Sequence, residues 1–434
     1  MADRAPLPLP LLTYRLLAPA LAAALPLARP FSAKLRDGLD GRRGLSERAR
    51  AAAPRLRGAV WFHAASVGEY EQARPVIAAL RALPDAPPVV VTHFSPSGRH
   101  YAARRPCADL HEWLPIDTPT AMAGLLEAWR PRALVFVKFD CWPNLVLEAA
   151  QRDVPVLLLA GTLQPRSWRL RPPLRPFFRA LFDRFAALGV CTEEDRDRFT
   201  GRLGVRAPVT VTGDTRAEQV ILRFEAAAGG EAVARLTARP GRRLVLGSTW
   251  PPDEALWLPV LPDLLARFPD LTVVLAPHEP SPPRLAELER RLAASGVATT
   301  RLSRLAPAGE AGAAAGGRCV LVDSVGVLAE IYRAGALAYV GGSFTTGVHN
   351  TLEPAVASLP VLFGPVVHNA VEAEALIARG AGRIVRGPAA AAAAAVELLS
   401  DPARLAAAGA AARAVVLAQR GATDRSLALL RSCM

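Results

Sequence analysis

The stretch Gly58-Ala59-Val60-Trp61-Phe62-His63-Ala64-Ala65, running into Ser66-Val67-Gly68-Glu69-Tyr70, decides the fold. The first eight residues form a short apolar run that reads as a buried strand, and from Val67 the chain reads as a helix to residue 80. A strand that turns straight into a helix opens a βαβ unit, and the same rhythm recurs on both sides of it. Further strands are expected at 89–92, 133–137 and 154–159, with a helix near 145–150. Short apolar runs alternating with helices imply a parallel sheet covered on both faces.

The rhythm stops near 209–213, passes through a helix and a Gly229-Gly230 linker, and restarts after Pro240-Gly241. Strands are expected at 244–246, 271–275, 319–322, 337–340 and 361–363. Residues 306–317 read as a low-complexity loop, and 389–395 and 406–414 as alanine-rich helices. The expected fold class is therefore α/β, with two doubly wound Rossmann-like domains facing a central cleft. Ligands of such sheets bind at the carboxyl ends of the strands.

Composition bounds the function. Of the 434 residues, 51% are hydrophobic and 21% charged, which permits two sizeable cores and excludes global disorder. The formal net charge of +13 suggests an anionic partner: nucleic acid, an acidic membrane surface or a phosphorylated substrate. Because Lys34 and Lys138 are the only lysines, a GC-rich coding bias towards arginine explains the charge equally well. No helix-turn-helix, zinc finger or basic stretch interleaved with aromatics is present, which argues against nucleic acid. Five scattered cysteines without a CxxC pair argue against a disulfide framework or structural zinc, and no metal site is expected.

The N-terminus is apolar from residue 7 to 30 but carries Arg15, Arg29 and several prolines; its longest uncharged run, 16–28, is short for a span of about 20 residues. Lys34, Arg36, Arg42, Arg43, Arg48 and Arg50 follow. Apolar sequence beside basic residues suits a helix lying in an anionic leaflet, and an ordinary packed helix is the alternative.

Chemistry-bearing residues gather at expected strand exits. Glu69, near a helix start, fits either a general base towards a sugar hydroxyl or a residue that closes its own helix terminus. Lys138 and Asp140 follow the 133–137 strand and fit either a substrate contact or a mutual ion pair. Arg216 follows the 209–213 exit and fits either a basic side chain at the cleft or, more commonly, an exposed, solvated arginine. In the second half, Ser248 and Thr249 offer hydroxyls and backbone N–H groups to a phosphate. Pro277 and His278 end the next strand. Ser324, Val325 and Gly326 follow another, where Ser324 also fits a simple N-cap. Gly341-Gly342-Ser343-Phe344-Thr345-Thr346-Gly347-Val348-His349-Asn350-Thr351-Leu352-Glu353-Pro354 is the richest turn, with Asn350 and Glu353 suited to ribose hydroxyls.

The HAASVGE turn at 63–69, the WPN triplet at 142–144, the APHE turn at 276–279, and the GGSF, HNxLEPA and PVLFGP segments between 341 and 365 together resemble the Kdo transferases of lipopolysaccharide assembly. Order and spacing match from about residue 11 to 382. The resemblance implies a GT-B glycosyltransferase moving 3-deoxy-D-manno-octulosonic acid (Kdo) from CMP-Kdo to a lipid A precursor, without cofactor or metal, at the cytoplasmic face of the inner membrane. It implies Glu69 as general base, Asp140 where most members have Glu in an ETELWPN-like motif, and Arg216 stabilising the departing phosphate. A variant branch shares the lysine at Lys138. Pro277, His278, Ser324, Gly326, Asn350 and Glu353, with Val325 and Thr351 in the same turns, match CMP-binding positions; the usual APRH turn is APHE here. The domains expected are a membrane-associating segment (1–50), an acceptor-binding domain (51–213), a linker (214–240) and a CMP-sugar-binding domain (241–434). Another GT-B enzyme or an epimerase using a UDP-sugar is the principal alternative.

Overall fold

The computed structural model describes residues 7–138, 140–226, 229–306, 316–345, 347–368 and 370–434. Fourteen strands among them form two all-parallel sheets of seven. In the first, β1 (Val60–His63), β2 (Val89–His93), β3 (Leu110–Trp113), β4 (Ala133–Val137), β5 (Val156–Gly161), β6 (Ala187–Val190) and β7 (Val209–Val211) lie in the order β3-β2-β1-β4-β5-β6-β7. In the second, β8 (Arg242–Thr249), β9 (Leu271–Pro277), β10 (Thr299–Arg301), β11 (Cys319–Leu321), β12 (Leu337–Val340), β13 (Val361–Phe363) and β14 (Gly382–Ile384) lie in the order β10-β11-β9-β8-β12-β13-β14.

Each sheet is buried on both faces, and alternation along a strand sends side chains to opposite cores. On β4, Leu134 and Phe136 join Trp61, Trp129 and Leu158 on one side. Ala133, Val135 and Val137 join Phe62, Tyr70 and Ile77 on the other. The order reverses beside β1, where the chain goes outward through β2 and β3 before returning to β4; Trp61 is in register with both Val90 and Leu134. The second sheet reverses beside β8, with β12 on its other side.

The chain divides into two compact units: the described residues up to Arg216 with Gly421–Met434, and Ala217–Arg420. The last helix, Ala422–Ser432, thus falls in the first unit, whereas the sequence reading ran the second domain to residue 434. Leu430 packs fully buried against the β1–β4 core. Four strands escaped the sequence reading: β3, β6, β10 and β14. Three of these are short strands at sheet edges. The low-complexity loop at 306–317 falls almost wholly on 307–315, outside the described residues.

The N-terminal run is an α-helix, Leu9–Ala24, continued as a 3₁₀ helix, Leu25–Phe31. It is long and apolar enough to cross a membrane by length and composition. One face docks on the first unit: Leu11 is buried, the Tyr14 hydroxyl donates to Asp117 at 2.9 Å, and Arg15 pairs with Glu148 at 2.6 Å. The other face is bare, with Leu9, Leu16, Leu21, Leu27 and Phe31 67–89% exposed. The basic run that follows is not uniformly turned outward. Arg42 donates to the carbonyls of Gly38, Phe94 and Leu114 and lies over the Phe94 and Trp113 rings, and Arg48 pairs with Glu112. Lys34, Arg36, Arg43 and Arg50 remain exposed.

Candidate active site

At the first reversal point, the Ser66 hydroxyl accepts the Glu69 N–H and starts the helix Val67–Arg81. The Glu69 carboxylate folds back to accept the Ala65 N–H at 2.6 Å. It therefore does close its own turn, and it is also 6% exposed, beside the start of the β4 exit. Burial, with the Asp140 charge adding to it, pushes Glu69 up to about 7 against the pull of the Ala65 N–H and Lys138. Asp140 is itself raised by burial, and the charge that opposes this is Arg169. Lys138 thus opposes the rise at Glu69, and Arg169 opposes the rise at Asp140. Lys138 holds φ +70°, an uncommon backbone for a side-chain-bearing residue, and donates its N–H to Leu159 at 2.8 Å.

The turn carrying Glu69 is held by three imidazoles whose protons are ordered. His111 Nε2 accepts the Cys107 and Ala108 N–H groups, so its Nδ1–H donates to His93 Nε2 at 3.3 Å. His93 Nδ1–H then donates to the Ala64 carbonyl at 3.0 Å. His63 Nε2 accepts the Trp142 indole N–H at 2.9 Å, leaving its Nδ1–H for Thr92. Burial depresses His63 and His93 to about 3 and His111 to about 4, so the network stays neutral through ordinary pH.

The WPN triplet has a structural job at each position. Trp142 reaches His63, Pro143 opens the helix Pro143–Gln151, and Asn144 donates to the Asp117 carbonyl at 2.6 Å. The Asp117 carboxylate caps that helix, taking the Asn144 and Leu145 N–H groups. Arg216 sits in the first turn of the helix Thr215–Ala226. Asp214 binds its N–H at 2.9 Å and the Gln72 amide at 3.0 Å, one turn along the helix from Glu69. Glu69, Asp140 and Arg216 are therefore all mounted on the first unit.

In the second unit, β8 and β12 end side by side, and Asp253 ties their exits together. It accepts the Trp250 N–H at 2.9 Å, the Gly342 N–H at 3.0 Å and the Tyr339 hydroxyl at 2.5 Å. A Cβ on Gly341 would lie 2.3 Å from the Ser248 carbonyl, so only glycine fits there. Trp250 and His278 stack at 4.7 Å, His278 and His349 at 4.5 Å, and the Trp250 indole donates to His349 Nε2 at 2.9 Å. Burial and His278 lower His349.

Asn350 donates to Glu353 at 2.9 Å and accepts the Leu352 N–H, capping the short helix Leu352–Val356. Burial raises Glu353. Glu353 and Gly326 line a pocket of about 200 Å³ with Arg223, Phe224, Glu330 and Arg333. Arg333 lies 3.7 Å over the Phe224 ring and has one buried Nη without a hydrogen-bond partner.

Other expected residues are placed differently. Thr249 is buried with its hydroxyl towards Glu254, Pro277 closes β9, and Thr351 is wholly buried. Ser324 is not an N-cap: the next helix, Leu328–Ile331, starts four residues later, and 324–326 form an exposed bend. Thr346 and Phe139 lie outside the described residues. Arg169, Trp250, Asp253 and His349 were not singled out from sequence. Arg169 sits on the single-turn 3₁₀ helix Trp168–Leu170 in an Arg- and Pro-rich segment, whereas Asp253, three residues beyond Trp250 and at the start of a helix, had a capping signal that could have been read.

Two parallel sheets, each reversing its strand order at a central strand, define a two-domain α/β fold of the GT-B type. A putative UDP-N-acetylglucosamine 2-epimerase from Listeria monocytogenes shares that fold, with a TM-score of 0.60 at 13% identity over 87% of this chain and 96% of that one. The family model described as 3-Deoxy-D-manno-octulosonic-acid transferase (kdotransferase) matches residues 38–219. The 3-deoxy-D-manno-octulosonic acid transferase of Bordetella pertussis is 35% identical over 396 residues, 87% of this chain and 88% of its own. That of Chlamydophila psittaci is 31% identical over 330 residues, 74% and 73% respectively. The chain belongs to the 3-deoxy-D-manno-octulosonic acid transferase family.

Proposed function

We propose that the chain transfers Kdo from CMP-Kdo to a hydroxyl of a lipid A precursor, with inversion, at the cytoplasmic face of the inner membrane. The observation that carries this reading is Glu69: a carboxylate at the reversal point, oriented by the Ala65 N–H and pushed up to about 7, where a general base is best matched to neutral pH. Glu69 takes the acceptor proton, and the freed oxygen attacks the anomeric carbon from the face opposite the departing group. CMP leaves as a phosphate monoester, so no strong general acid is needed. Arg216 and helix N-termini oppose the charge that develops on the phosphate.

For the donor, the Gly326–Glu353 pocket supports the reading. Arg333 brings an unpartnered guanidinium N–H and Glu353 a carboxyl held by Asn350, groups suited to a phosphate and to sugar hydroxyls. The bare face of the N-terminal helix supports seating on the membrane, with Arg15 and Tyr14 holding the opposite face to the protein. The test is incubation of the purified full chain with CMP-Kdo and lipid A precursor, with UDP-sugars in parallel, and product masses measured. A mass gain of one or more Kdo units from CMP-Kdo alone is expected. Transfer or epimerisation with a UDP-sugar and none with CMP-Kdo would overturn the reading.

A further inference from the structure

We propose that segment 164–175 is a second membrane-contacting element, which seats the first unit on an anionic bilayer together with the N-terminal helix. The inference rests on the membrane reading above and adds a specific surface to it.

The segment reads Gln-Pro-Arg-Ser-Trp-Arg-Leu-Arg-Pro-Pro-Leu-Arg, with Arg166, Arg169, Arg171 and Arg175 and no acidic residue. It is an ordered turn: the Ser167 hydroxyl caps the 3₁₀ helix Trp168–Leu170, and Leu174 and Arg175 donate their N–H groups to the Arg171 carbonyl. That turn leaves Trp168 47% and Leu174 36% exposed. Of the thirteen large apolar side chains exposed among the described residues, seven lie in the N-terminal helical run and two in this segment. The bare apolar surface is thus concentrated in two places rather than scattered.

Those two places are joined by packing within one unit. Trp168 meets Phe178 edge-on at 4.9 Å, Phe178 meets Phe177 at 5.0 Å, and Phe177 meets Tyr14 of the N-terminal helix at 6.0 Å. Tryptophan with flanking arginines suits the boundary between headgroups and acyl chains, where the ring is part-buried and the guanidinium groups face anionic phosphate. Arg169 turns the other way. It lies over the Trp168 and Phe178 rings and acts electrostatically on Asp140. Arg169 thus lies between the exposed Trp168 ring and the Asp140 carboxyl.

The experiment uses the full chain and vesicles of phosphatidylethanolamine with and without phosphatidylglycerol, read by flotation. Trp168→Ser with Leu174→Ser should weaken binding roughly tenfold. Arg171→Ala should weaken it about fivefold on the anionic vesicles only. Trp168→Phe, a variant that keeps the packing, should lose the part of the tryptophan emission that brominated acyl chains quench in the wild type. The proposal is overturned if these variants bind and quench as the wild type does while Leu16→Ser with Leu21→Ser releases the protein; the membrane reading then stands without this segment. If the unaltered chain binds neither vesicle, the membrane reading fails and this inference falls with it.

Discussion

The Trp142 indole N–H and His63 Nε2 lie 2.9 Å apart, which ties the residue that ends β1 to the residue that precedes the helix after β4. The two strand exits that carry Glu69 and Asp140 are thereby cross-linked by side chains as well as by the sheet. Trp142→Phe removes the donor and leaves a wholly buried imidazole nitrogen without a partner, at a cost of about 1–3 kcal/mol. Urea unfolding should show that loss, and turnover should fall further than stability does because the carboxyl pair loses its register. A variant with wild-type stability and turnover would make the contact incidental.

Glu69→Gln should reduce transfer by about 10²- to 10⁴-fold, the usual size of a general-base contribution. The amide oxygen can still accept the Ala65 N–H, so the turn should stay folded. Circular dichroism and CMP affinity close to wild type, with turnover lost, is the expected pattern. Near-normal turnover would remove Glu69 from the chemistry.

The pH dependence follows from the raised carboxyl. As the proposed general base, Glu69 acts in its ionised form, so kcat/KM should rise with pH through an inflection near 7. Asp140 raises Glu69 by like-charge repulsion, so Asp140→Asn should move that inflection to lower pH. Stability runs the opposite way. Because the folded value lies above the ordinary 4.5, the stabilising contribution of Glu69 is present below about 4.5 and is lost as pH rises through about 7. Glu69→Gln should therefore gain stability over wild type at pH 8 and gain little at pH 4, which thermal melts at the two pH values would show.

Asn350→Ala should weaken CMP binding by roughly 1–3 kcal/mol, the cost of one lost ligand hydrogen bond or of a Glu353 carboxyl no longer held. Glu353→Ala should act in the same direction, and the double variant should cost less than the sum, because the two side chains touch. Calorimetry on the three proteins tests this; CMP affinity unchanged in all three would place the nucleotide elsewhere.

The central strands were legible because burial on both faces leaves unbroken apolar runs: β4 and β12 are read at their true limits, 133–137 and 337–340. β10 and β14 were not, since Thr299–Arg301 and Gly382–Ile384 are three-residue strands at sheet edges with only part-buried side chains. β6, Ala187–Val190, is fully buried and was passed over because Gly189 interrupts its apolar run. Strand-exit logic pointed to Glu69, Asp140 and Arg216 as candidates, and all three lie in the first unit. It missed whatever depends on residues far apart in the chain, such as Arg169 acting on Asp140 or the relay from His111 through His93 to Ala64. No spacing rule encodes those contacts.

The first unit is assembled from two separated stretches, the described residues up to Arg216 and Gly421–Met434, and the second unit lies between them in the chain. During synthesis the whole of Ala217–Arg420 emerges before the last helix, and it holds its own sheet and cores. The half that carries Glu69 must wait for residues 421–434, which are made after all of the second unit, before Leu430 can fill its place in the core with Tyr70 and Ile77. Ribosome stalling just after Arg420 has emerged should thus leave a folded second unit and a protease-sensitive first unit. A Leu430→Ala change, though distant in sequence, should disturb the Glu69 side first.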